Sequence, residues 1–121
     1  MITSFTDFIA ENELSLPFEF SYNGNNDHSI ILGVSAVNNE TPSIKDLTNF
    51  LEEVSNGNYD VVMDKDRLAV CCDKATAKNI ITAQVDLLRK TTVLRSDEDL
   101  TDLIDDLRYN EMMISEINNS I

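Results

Sequence analysis

The chain has 121 residues, 42% apolar and 26% charged, with 9 Lys and Arg against 22 Asp and Glu for a formal net charge of -13. Those proportions are globular and exclude wholesale disorder, and the length suits a single domain over 1–121. The acidity strongly disfavours direct binding of nucleic acid, which needs cations against phosphates, and repels anionic membrane surfaces, so neither partner is expected.

No apolar run approaches the ~20 residues that span a bilayer, and Asp7 comes before any basic residue, which argues against a signal peptide. A cytoplasmic protein is expected. Cys71 and Cys72 are neighbours, so on a strand their side chains point to opposite faces and a bridge between them is strained. They read as small apolar strand residues.

Taken in chain order, Ser4 and Asp7 are spaced as a capping box, and Phe5, Phe8 and Ile9 share one apolar face. This predicts a short first helix that fails by Leu16, because Pro17 pushes its predecessor out of the helical region. Phe18, Phe20 and Tyr22 alternate with Glu19 and Ser21 as a half-buried strand. The cluster from Asn23 through Gly24 to Asp27 predicts a turn, since Gly and Asn tolerate positive φ. A second strand over 28–37 completes a hairpin.

Pro42 suits a first helical position with Thr41 or Ser43 as cap. Ile44, Leu47, Phe50, Leu51 and Val54 then recur at helical spacing until Asn56 and Gly57 stop the run. Tyr59, Val61 and Met63 alternate with Asp60 and Asp64, and a turn over 64–66 leads to Leu68, Val70 and Cys72 as a second hairpin. Asp73 caps a helix with Ala77, Ile80, Ile81, Leu87 and Leu88 on its apolar face. Residues 91–94 read either as the end of that helix or as an extended link. Ser96 before Asp97, Glu98 and Asp99 opens a last helix with acids that favour its dipole. The expected fold is α+β: an antiparallel sheet of two hairpins with helices on one face, in the order α-β-β-α-β-β-α-α.

Residues 97–121 hold eight acids against Arg108 alone, a formal charge of -7. Leu100, Leu103, Leu107, Asn110, Ile114, Ile117 and Ile121 step by threes and fours, a heptad seam interrupted by Asn110. One reading pairs this amphipathic helix with a twin or partner, with Asn110 setting the register. The other, which we favour, packs the residues up to Leu107 on the domain's own sheet and lets 111–121 fray. In both, Asp102, Asp105 and Asp106 face solvent as an acidic ridge. Lys74, Lys78, Arg89, Lys90 and Arg95 are expected to balance that charge within the fold or across a dimer, in preference to forming a specific anion site.

Catalytic constellations are missing from the sequence. His28 is the single histidine, placed beside a turn, and the segment around Ser35 lacks the second glycine of a nucleophile elbow. Two adjacent cysteines and one histidine do not make a tetrahedral zinc set, and the acidic clusters lack calcium-loop spacing. Gly24, Gly33 and Gly57 stand too far apart for a phosphate loop. No enzyme, no cofactor and no metal site are expected.

The layout resembles class I type III secretion chaperones and related chaperone-like regulator domains. The likeness is carried by the segment from Leu14 through Pro17 to Phe20, the apolar strand from His28 to Leu32, the helix from Ser43 to Val54, the hairpin from Tyr59 to Cys72 and the helix after it. It covers most of 4–90 and departs from the family in leaving little room for a third strand between Val37 and Thr41, and in adding the helix after Ser96. The resemblance implies a cytoplasmic homodimer without enzymatic activity that holds an extended client segment along apolar grooves. The expected function is therefore a non-enzymatic, chaperone-like module for an apolar segment of a client protein. Phe18, Phe20, Tyr22, Ile30 and Leu32 are the expected partner-binding residues. The alternative is an acidic inhibitor or nucleic-acid mimic, of a phage or mobile-element kind, whose ridge of Asp102, Asp105 and Asp106 occupies a basic site on a partner.

Overall fold

A computed structural model describes residues 18–26, 28–36, 44–55, 58–64, 66–91 and 94–120. The helix expected over 4–16, the caps expected at 41–43 and the stop at 56–57 lie outside the described residues. Alternating residues in β1 (Phe18–Asn25) and near-continuous apolar runs in β2 (Ile30–Ala36) and β4 (Arg67–Cys72) form strands, with β3 (Tyr59–Asp64) as the fourth. Three helices carry the 3.6-residue pattern: α1 (Ile44–Ser55), α2 (Lys74–Thr91) and α3 (Asp97–Asn118). The sheet is antiparallel throughout, in the order β1-β2-β4-β3, so two hairpins join through β2 and β4. The expected α+β class is what the chain adopts.

Turn chemistry sets the registers. Asn26 Oδ1 accepts from the main-chain N–H groups of His28 (3.1 Å) and Ser29 (2.8 Å), closing the β1–β2 turn with a side chain that mimics a peptide carbonyl. The register slips between Tyr22 and Asn25, where Gly24 has φ 104°, a conformation a Cβ would strain. This bulge extends β1 into the segment read as turn. Asp66 has φ 67° in the β3–β4 connection, as a tight hairpin between Asp64 and Arg67 requires.

Pairing puts Phe20, Tyr22, Leu32, Val34, Val70, Cys72 and Tyr59 on one face of the sheet. The apolar stripes of the helices close over this face: Leu47, Phe50, Leu51, Ala77, Ile80, Ile81, Leu87, Met113 and Ile117 share a single core with it. Phe20 and Phe50 stack with centroids 5.6 Å apart. The opposite face carries Glu19, Ser21, Ile31, Cys71, Asp60, Val62 and Asp64.

Helix ends follow the expected caps. Asp73 Oδ1 accepts from Thr76 N–H (2.8 Å), and hydrogen bonding from the Thr76 hydroxyl, then from its main chain, holds the Asp73 carboxyl below its ordinary value. At α3, Ser96 Oγ accepts from Asp99 N–H (3.2 Å), while Asp99 Oδ2 accepts from Arg95 N–H (2.9 Å), a reciprocal clamp on the first turn. α2 runs to Thr91 and Leu94 is outside any helix, while residues 92–93 of the 91–94 segment lie outside the described residues.

The course of α3 corrects the sequence reading. Its C-terminal half does not fray: Asn110, Met113 and Ile117 are buried and the helix runs to Asn118. Its N-terminal half is the looser one, with Leu100 exposed and Leu103 and Leu107 half-buried. The cause is the pairing of α2 with α3. Gln84 of α2 bonds to Asn110, at the start of the C-terminal half of α3, and so ties that half to the body of the domain. The core is met by that same half, where Met113 and Ile117 join the buried cluster.

Candidate protein-binding surface

A sheet of four strands has two edges, and an edge with free N–H and C=O groups is a template for another strand. Here the two edges are built differently. At the β1 edge, the Gln84 side chain reaches from α2 and behaves as a neighbouring peptide. Phe20 N–H donates to Gln84 Oε1 (2.7 Å), and Gln84 Nε2 donates to Phe20 O (3.3 Å). The same Nε2 donates to Asn110 Oδ1 (2.7 Å), and Asn110 Nδ2 donates to Asp106 O (2.7 Å). Phe20 points both main-chain groups away from β2, as alternate residues of an antiparallel strand must, and one side chain satisfies both. Gln84 and Asn110 are both buried, and no buried side-chain polar atom among the described residues is left without a partner.

The β3 edge has no described element beyond it. On its core-side face, cover thins along the strand. Tyr59 is half-buried and its hydroxyl donates to Glu52 of α1 (2.9 Å); burial first, and then this bond, raises its pKa. Val61 is 36% exposed and Met63 65% exposed, beside a half-buried Leu68 on β4. Asp60 and Asp64 project from the other face, near enough to Cys71 to raise its pKa after the larger effect of burial. The open edge thus presents apolar side chains on one face and carboxylates on the other.

The residues expected to bind a partner fall elsewhere. Phe20, Ile30 and Leu32 are fully buried beneath the helices and belong to the core, and Tyr22 is half-buried against it. The side chain of Phe18 lies outside the described residues. Their alternation marks a strand with one buried face, and in this sheet the burial is internal. Asp102, Asp105 and Asp106 are exposed, as expected of a ridge. Gln84 was missed, although a polar residue set among Ala77, Ile80, Ile81 and Leu88 at helical spacing is a legible signal. Asn110 interrupts the other helix in the same way, and the two find each other.

His28 is exposed on the β1–β2 turn. Cys72 is buried, and loss of solvation pushes its thiol up to about 12. Among the described residues, no three His, Cys, Asp or Glu side chains converge as a metal site. No helix among them is long and apolar enough to cross a membrane. Comparison with protein-family models, curated proteins and solved structures finds no match to this chain.

Proposed function

We propose that this chain is a non-enzymatic, chaperone-like module that holds an extended apolar segment of a client protein at the β3 edge. The observation that supports it is the pairing of an open strand edge with exposed Val61 and Met63. An added strand gains main-chain hydrogen bonds along Tyr59–Asp64 and sets alternate side chains on the apolar strip. In this reading the protein works in the cytoplasm as a homodimer, in keeping with the resemblance to type III secretion chaperones. The test is amide hydrogen exchange with a Val- and Ile-rich extended peptide as probe. Protection is expected at alternate amides of 59–64. A peptide that binds without protecting them, or none that binds, rejects the reading.

A second reading, an acidic inhibitor or nucleic-acid mimic, draws support from the solvent-facing carboxylates of Asp102, Asp105 and Asp106. Replacing all three with Asn is expected to abolish association with a basic partner in this reading, and survival of binding at moderate salt rejects it.

A further inference from the structure

The N-terminal half of α3 is amphipathic but only partly used. Leu100 is 43% exposed and Ile104 39% exposed, four residues apart on one row, and half-buried Leu107 continues that row. Asp97 begins the row and Glu111 ends it, both exposed. The stripe therefore has an apolar centre and an acid at each end, over about 14 residues or roughly 21 Å at the helical rise.

Charge decides what fits it. A second copy of α3 laid antiparallel with Ile104 against Ile104 sets Asp97 against Glu111 at both ends, and a parallel copy sets each acid against itself. α3 carries eight acids and one base, so either pairing brings like charges together. Asn110, the residue suited to fix a twin's register, is consumed inside the fold by Gln84. A cationic helix has neither obstacle.

We propose that the Leu100, Ile104 and Leu107 row is a docking site for a partner's basic amphipathic helix, with apolar anchors at its centre and Lys or Arg toward both ends. Leu and Phe anchors of the partner fill the space beside Leu100 and Ile104, and its basic ends meet Asp97 and Glu111. The site stands apart from the β3 edge, and either proposal can fail without the other.

The probe is a synthetic Leu/Lys peptide of about 18 residues with Leu at helical spacing, titrated into the full chain by fluorescence anisotropy. Saturable one-to-one binding is expected. The double variant Leu100→Ser, Ile104→Ser should weaken it about tenfold or more with unchanged circular dichroism, because both side chains are exposed and the charge is untouched. Asp97→Asn with Glu111→Gln should weaken it a few-fold and flatten its salt dependence. Equal binding by the Ser variant shows attraction by net charge alone and overturns the proposal. So does loss of binding in Val61→Lys, Met63→Lys, which places the peptide on β3. A dimer in sedimentation that the Ser variant dissolves assigns the stripe to a second copy and overturns it as well.

Discussion

The two edges of one sheet meet opposite fates, and the difference lies in what each neighbouring helix carries. At Phe20, β1 is capped by a buried amide that imitates a strand, so both outward-facing main-chain groups of that residue are satisfied within the chain. β3 is flanked by α1, which reaches Tyr59 through Glu52 but leaves Val61 and Met63 exposed. One well-placed polar side chain can occupy the position on an edge where another strand would bond. An edge left open beside exposed apolar side chains is where a strand-adding partner finds both its main-chain bonds and its side-chain contacts.

Gln84→Ala attacks the capped edge and carries the largest expected effect. It strands Phe20 N–H, Phe20 O and Asn110 Oδ1, and should cost roughly 2–4 kcal/mol in urea unfolding. It should also add concentration-dependent association through β1. A variant that stays monomeric and as stable as the parent breaks the comparison. Val61→Lys with Met63→Lys attacks the open edge and should shift stability by only about 0.5 kcal/mol or less. The same pair should remove binding of the extended peptide, a contrast with Gln84→Ala that calorimetry reads directly.

Asp73→Ala loosens the start of α2, the helix that delivers Gln84, and should cost about 1 kcal/mol. Since the folded carboxyl of Asp73 lies below its ordinary value, its contribution is present above the unfolded pKa and is lost as pH falls through the folded one. The parent should therefore lose more stability than Asp73→Ala between neutral pH and the acid side of the carboxylate range, as thermal melts at several pH values would show. The smallest effect concerns Cys71, on the face of β4 that adjoins Asp60 and Asp64. Asp60→Asn with Asp64→Asn should speed its alkylation a few-fold by removing two causes of its raised pKa, while Cys72 stays inert until unfolding. A ligand on the β3 edge should slow Cys71 alkylation in the parent.

Much of the architecture was legible from local rules. Asp73 and Ser96 announce their helices because a side-chain oxygen at that position satisfies an otherwise orphaned N–H. Alternation in 59–72 marks a hairpin because successive strand residues face opposite ways. The candidate site was much less legible. Phe20, Ile30 and Leu32 look like an available apolar face until helices from distant parts of the chain are laid over them. Val61 and Met63 show the same alternation, yet remain exposed because cover does not extend that far.

The last helix makes the same division. Its existence, its cap and its -7 charge follow from residues 96–121 alone, because capping and charge are local properties. Which half would be buried does not follow, since Leu100 and Ile117 are equally apolar and sit in one repeating pattern. That choice belonged to the pairing of Gln84 with Asn110, 26 positions apart, which sets the helix against β1. Sequence determined the elements and their amphipathic faces; tertiary packing decided which faces were consumed, because burial depends on the neighbours that long-range contacts bring.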